Sequence, residues 1–540
     1  MKILRNSILM IFLVAALAFS TAEKEPIYWD VVQKIMDESF ENSHIMEDIS
    51  YMTDVYGPRL AKSRAYEAAV DWAVKKFKEY DLENVHIDTY EFGVGWELEY
   101  TSVHMMSPQY MPIIAYPQPW SSPTKGKVRG SVVYINFQEI TSEDDLEQYQ
   151  GKLRNAIVFS KPKQKMYLRW TPEAVLYSDE VLDEMAKMPT SKSMEEYIRN
   201  ITRVPELNRR VRPVYKYPKR KIIDFLLSEG VAAIAATDDL YDDGTVQVTI
   251  IARKAWAKDA PKQPTSFILA AEHYNRIMRI LEKGIPVEME VELRANYTDK
   301  DLNGHNVIAE ISGTDLADEV VIIAAHFDGC VSGTGAEDNA CGAAHVMEAA
   351  RILKAIGVKP RRTIRFALWD GHEAGHSGAR AYCAKHYFDS EAGKRLQEYN
   401  KLAGYYNLDY GTGRIRGIFL MNNYLVKPIF EAWMRPLHNL GMKHCFLVPS
   451  YDAGTEGYHQ AGLAAFKFSQ DPVENDSRTY HSNMDVFDRI VPEYLKQGVI
   501  VVASFAYHTA MRNEKLPQIQ LPRNESTFSS FLLRGKTKDS

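Results

Sequence analysis

Three stretches decide the fold: VVIIAAHFDG at residues 320–329, TIRFALWDGHE at 363–373 and LAGYYNLD at 402–409. Each opens as an apolar run of strand length and ends in histidine or a carboxylate. Runs that do not alternate with polar residues suit strands covered on both faces. Helical stretches at 343–356 and 379–386 lie between them. This alternation predicts an α/β fold, a mixed, mostly parallel sheet sandwiched by helices. Ligand sites in such sheets form beyond the carboxyl ends of the strands. The three runs deliver His326 and Asp328, then His372 and Glu373, then Asp409 to that edge.

Working outward, residues 66–80 repeat apolar positions at helical spacing and 86–92 read as a strand. A proline-rich passage at 108–123 breaks the pattern. Short β-type runs follow at 131–137, 156–160, 231–236 and 246–252, with a charged, polar stretch at 161–221 that reads as an insertion or lid or, as is commoner for such stretches, a solvated excursion. An amphipathic helix at 492–511 closes the periodic part. The expected division is a signal peptide at 1–22, a catalytic domain from 23–124 and 298–513, an inserted β-rich domain at 125–297, and a polar tail at 514–540.

At 540 residues the chain exceeds what one core usually organises. A net charge of -6 without a basic stripe argues against nucleic acid as a partner. Lys2 and Arg5 precede an apolar run at 8–19 that ends in Ser20, Thr21 and Ala22, the pattern of a cleavable export signal. That run falls short of the roughly 20 residues a bilayer span needs. A periplasmic or extracellular product with no stable membrane span is expected. Cys330, Cys341, Cys383 and Cys445 are too scattered for a disulfide framework or a thiolate zinc site, and read as small buried apolar residues.

Imidazole and carboxylate donors together are the ligands of a catalytic zinc, which keeps a position for water. Besides the strand-end residues, Asp338 lies in GAEDNACG, a turn opening a helix, and His481 in RTYHSNMD, a polar loop. Asp328, two residues after His326, is placed to accept the second ring N–H and fix the tautomer.

The segments AAHFDGCVSGTGAEDN, LWDGHEAGHSGARAY, YYNLDYGTG and TYHSNMDVFDRI resemble the metal loops of the co-catalytic two-zinc exopeptidase family that contains bacterial leucyl aminopeptidases and carboxypeptidase Q. Residues 125–297 resemble the protease-associated domain often inserted in that family. The resemblance implies two zinc ions, with other divalent metals compatible: His326 and Asp409 on one, Glu373 and His481 on the other, Asp338 bridging. It implies a cis peptide between Asp338 and Asn339. It also implies hydrolysis of terminal bonds in a peptide or dipeptide, with amino- and carboxypeptidase action both open. The sequence does not set the oligomeric state, and a homodimer is compatible with it.

Two departures stand out. Where the family carries two successive glutamates, a general base followed by a ligand, this chain has His372 and Glu373. A protonated His372 is a cation beside dications, so slower turnover or a shifted pH optimum is expected. GTEGYHQAG also differs from the family's usual Asp-His pair, which bears on substrate contacts near Glu456. Arg478 and Tyr480, next to His481, are further substrate-facing candidates. Two other readings stay open. His372, Glu373 and His376 spell the single-zinc signature His-Glu-x-x-His, and a metal-binding relative without catalysis is the other.

Overall fold

The computed structural model describes residues 25–519 except 167, 169, 171, 202–213, 239 and 451–452. The expected signal at 1–22 and the tail from 520 onward lie outside the described residues.

Helix α1 (Arg64–Glu79) begins where the Ser63 hydroxyl accepts the amide of Tyr66 at 3.1 Å, and it buries Tyr66, Ala69, Val70, Ala73 and Phe77 along one stripe. It feeds strand β1 (Glu83–Glu91). The remaining strands of this first sheet are β2 (Asn303–Ile311), β3 (Leu316–His326), β4 (Arg362–Trp369), β5 (Leu402–Leu408), β6 (Ile415–Phe419), β7 (His444–Phe446) and β8 (Ala465–Gln470), in the order β1-β2-β4-β3-β5-β8-β6-β7. The centre, β4-β3-β5-β8, is parallel, while β1, β2 and β6 join antiparallel to their inner neighbours.

Strand β3 explains why its sequence does not alternate. Val321, Ile323 and Ala325 enter the core shared with α2 (Cys341–Ala355) and α4 (Pro492–Met511), whereas Val320, Ile322 and Ala324 enter the core under α3 (Ser377–His386). Both faces are covered, and each large side chain so buried contributes about 1.5–3 kcal/mol.

The second sheet orders its strands Met111–Pro112, Gly95–Ser107, Glu288–Thr298, Val128–Tyr134, Ile157–Phe159, Ala233–Thr237, Ser266–Leu269 and Ala115–Pro117. It therefore draws on residues 95–117 as well as on the 125–297 segment. The reason is the long antiparallel ladder between Gly95–Ser107 and Glu288–Thr298, which needs both sides of that boundary.

Residues 246–252 depart from the strand expectation. Val246, Val248 and Ile251 pack in the core of the second sheet, but the backbone is spent elsewhere: it forms an isolated bridge from Gln247 to Ser482 and a bond from the Val248 amide to the His481 carbonyl. The described part of the polar stretch 161–221 is not merely a solvated excursion. Helices Asp179–Lys187 and Ser191–Ile201 bury Leu182, Met185 and Met194 against the first sheet's core, and Asp179 pairs with Arg416 and Lys443. Past 513, Leu516 packs on the first sheet and donates its amide to the Ala403 carbonyl, so the tail's first residues are held.

Candidate metal centre

His326 ends β3 and Asp409 follows β5, and these neighbouring strands are in register through Ala325 and Leu408. His326 Nε2 lies 3.2 Å from Asp409 Oδ1. Asp338 comes from the turn before α2, which Gly335 enters at φ +64°; a Cβ there would press on the Asp338 carbonyl and Arg59. Asn339 ties this turn to β5 by donating its side-chain amide to the Leu408 carbonyl at 2.9 Å. The peptide between Asp338 and Asn339 is cis.

Asp338 aims one oxygen each way: Oδ1 is 3.1 Å from His326 Nε2 and Oδ2 is 3.2 Å from His481 Nε2. On the far side, Glu373 Oε2 stands 3.1 Å from His481 Nε2. Five side chains spread over 156 positions of sequence thus meet around two adjoining spaces, arranged as one His with one carboxylate on either side of a shared carboxylate.

Supporting groups fix these donors. Asp328 plays a different part from the one its spacing suggests. Its backbone carbonyl takes His326 Nδ1 at 3.0 Å, while its carboxylate stands 3.5 Å from that nitrogen and accepts the amides of His372 and Glu373, both at 3.0 Å. Asp485, the last residue of RTYHSNMD and given no role from sequence, accepts the amides of Glu337 and Asp338 at 2.6 and 3.2 Å. Arg59, fully buried, donates to the carbonyls of Met52, Gly57, Phe327, Thr334 and Gly335, and so clamps the loop from β3 to Asp338. Burial pulls its guanidinium down to about 10, which leaves it charged at neutral pH.

Burial works against the charges of His326, Asp338, Asp409 and His481, yet mutual attraction wins. Asp338 and Asp409 are held below the ordinary carboxylate range by the surrounding imidazoles. His326 is pushed well above the usual imidazole range by Asp409, Asp328 and Asp338, and His481 by Cys330 and Glu373. Two polar atoms of the cluster, Glu373 Oε1 and His481 Nδ1, are buried without a hydrogen-bond partner. A buried charged group left unsatisfied is costly, and bound cations would relieve that cost and displace the imidazole protons. The donor set, nitrogen and oxygen at mutual distances near 3 Å, fits divalent metals of the zinc type.

The other candidates lie at the rim of this convergence or outside it; the nearest is His372, whose donor nitrogen lies within 4.8 Å of those of His326 and Asp409. His372 stacks on His326 with ring centroids 3.9 Å apart, and its Nε2 is 3.4 Å from Asp409 Oδ2. Tyr480 stacks on His481 at 3.8 Å. Arg478 is taken by Glu173, through Nε at 2.7 Å and through Nη2, and Glu456 by Arg380 and Gln460. The single-zinc motif fails on geometry. Helix α3 starts only at Ser377, because Gly371, Gly375 and His376 all hold positive φ, and Glu373 points to His481. Burial and the neighbouring His372 drive His376 down to about 2.

Residues 306–506 match the sequence pattern of peptidase family M28. Carboxypeptidase Q of Pongo abelii is similar at 23% identity over 498 residues, 91% of this chain and 91% of its own. Leupeptin-inactivating enzyme 1 of Streptomyces exfoliatus is 32% identical over 178 residues, 33% of this chain and 36% of that protein. The crystal structure of a peptidase M28 precursor from Shewanella amazonensis SB2B shares the fold with a TM-score of 0.65 at 22% identity, over 91% of this chain and 99% of that one. This match falls on the segment that supplies every donor of the cluster: residues 306–506 carry the peptidase family M28 pattern, and the chain is a hydrolase of peptide bonds.

Proposed function

We propose that this chain is an exported, zinc-dependent exopeptidase that hydrolyses the terminal bond of a peptide or dipeptide. The observation that carries the reading is the carboxylate of Asp338, which turns one oxygen toward His326 and the other toward His481. His326 and Asp409 would hold one zinc, Glu373 and His481 the other, and Asp338 both. Zinc in such a site supplies Lewis acidity and an acidified water with a pKa near about 7. Export rests on the sequence of residues 2–22, and among the described residues no helix is long and apolar enough to cross a membrane.

His372 is the residue we assign to proton traffic. It lies beside the His326–Asp409 side of the centre, where it can take a proton and pass it to the leaving amine. The resulting imidazolium is opposed by the cations, and Asp409 Oδ2 at 3.4 Å offsets part of that repulsion. Asp328 keeps the backbone of His372 and Glu373 in place for both tasks.

A peptide-library digest read by mass spectrometry, with zinc, cobalt or chelator present, tests the function and reads which end is shortened. Metal-dependent loss of single residues or cleavage of dipeptides is expected. Purified protein that takes up no metal and cleaves nothing would sink the reading. For His372, replacement by Ala is expected to slow turnover within the roughly 10²- to 10⁴-fold range of general-base catalysis, and His372→Glu to exceed wild type with an altered pH profile. An unchanged rate and profile in both variants removes His372 from the mechanism.

A further inference from the structure

Cys330 is the cysteine whose surroundings do not match a packing role. Cys341, Cys383 and Cys445 are buried members of apolar cores, and all four thiols are free of disulfides. Cys330 belongs to no apolar cluster and is part-exposed. Its sulfur instead converges with a carboxylate oxygen of Glu373 and a ring nitrogen of His481, all three donor atoms within 4.8 Å of one another. Donors on a tetrahedral zinc, at about 2.0–2.3 Å from the metal, lie roughly 3.3–3.8 Å apart, so the triad needs little adjustment to close on an ion. The segment is pinned on both sides: the Gly329 amide donates to the Arg59 carbonyl at 3.2 Å, and the Ser332 hydroxyl to the His481 carbonyl at 2.9 Å.

We propose that Cys330 is a thiolate ligand of the cation held by Glu373 and His481, which makes the two metal sites unequal. The inference rests on the two-cation reading above and deepens it. On binding, the Cys330 S–H bond breaks, its proton leaves to solvent, and the sulfur lone pair goes to the metal. That cation then has four protein donors, Glu373, His481, Cys330 and Asp338, the closed set of a structural site. The other has His326, Asp409 and Asp338; His372, whose donor nitrogen also lies within 4.8 Å of those of His326 and Asp409, stands beside it and, kept off the metal as the proton carrier, leaves a position open. A soft sulfur donor also favours zinc over magnesium or manganese in the closed site.

The test is X-ray absorption at the zinc edge on full-length protein loaded with two equivalents of zinc, compared with Cys330→Ser and, as a control, Cys383→Ser. The expected wild-type spectrum contains a sulfur shell at about 2.3 Å beside nitrogen and oxygen at about 2.0–2.1 Å. Cys330→Ser should lose the sulfur shell, release one zinc to chelator at least about 10-fold more readily, and release one proton fewer on loading. Cys383→Ser should keep the shell. Two zinc ions bound without a sulfur shell, or a shell that survives Cys330→Ser, overturns the thiolate and leaves the two-cation reading standing. No zinc uptake by the wild type overturns both.

Discussion

His326 and Asp409 inherit their separation from the sheet, whereas Glu373 and His481 are brought together by loops. The first pair sits at the ends of β3 and β5, strands joined by backbone hydrogen bonds, so the spacing of about 4.8 Å between strands sets the distance between donors. The second pair has no such ladder. Glu373 lies in a turn held by the Asp328 carboxylate, and His481, at φ +54°, lies in a loop held by the Ser332 hydroxyl and by the amide of Val248, whose side chain packs under the second sheet. One half of the centre is thus specified by the most cooperative part of the fold, and the other by a few polar bonds, one of which crosses from the inserted segment.

The comparison breaks most severely at the residue both halves share. Asp338→Ala should abolish binding of both metals and lower activity beyond the roughly 10- to 100-fold that loss of a supporting partner costs, read by metal analysis and turnover. Retention of two tightly bound metals would contradict the bridging role. The sheet half has its own weak point at His508 on α4, whose Nε2 accepts the Tyr28 amide at 3.2 Å while Nδ1 donates to the Ser504 carbonyl at 2.7 Å. Burial lowers its pKa from 6.5 to about 4. The unfolded chain therefore takes up the proton first as pH falls, and stability present above pH 6.5 is lost progressively toward pH 4, on the order of 3 kcal/mol. Denaturation followed by circular dichroism across that window, with and without chelator, should show the decline in both states.

Smaller effects separate the halves. Asp328→Asn should weaken metal retention about 10- to 100-fold, chiefly for the cation on Glu373, because Asp328 holds that residue's amide. Val248→Pro removes the donor to the His481 carbonyl; at about 1 kcal/mol for one hydrogen bond, it should loosen one zinc about five-fold and leave the other unchanged in a chelator competition. Equal weakening of both would erase the distinction drawn here. Glu173→Gln, which leaves Arg478 only the longer contact to Glu474 at 3.9 Å, should shift stability by no more than about 1 kcal/mol as a part-exposed ion pair, measured by thermal melting.

How legible these features are in the sequence follows from the same contrast. The strands at 320–325, 363–369 and 402–408 are readable because a two-sided burial pattern is a local property of the chain, and the end of a readable strand locates His326 and Asp409. Glu373 follows a readable strand as well, whereas Asp338 and His481 sit in a turn and a loop, where spacing alone says little, and their pairing with particular ions enters through the resemblance of their motifs. Arg478 and Glu456 look available to substrate in one dimension, yet each is engaged by a partner 305 or 76 positions away.

Cys330 reads as a packing residue because its donor partners are 43 and 151 positions downstream. Arg59 and Asp485 escape for a related reason: they act on backbone groups of other segments, which leave no mark in residue type. Residues 246–252 mislead in the opposite direction, since apolar side chains suit a strand whatever the backbone does.

Composition and local pattern by themselves determined the α/β class, the parallel core strands and the chemistry of the donors, because burial on both faces and ligand type are written residue by residue. Only the tertiary structure decided which side chains meet, that the second sheet recruits residues before its expected boundary, and that a thiol joins the loop-built half. Those outcomes depend on how distant segments pack, and packing is a property of pairs that no single stretch of chain contains.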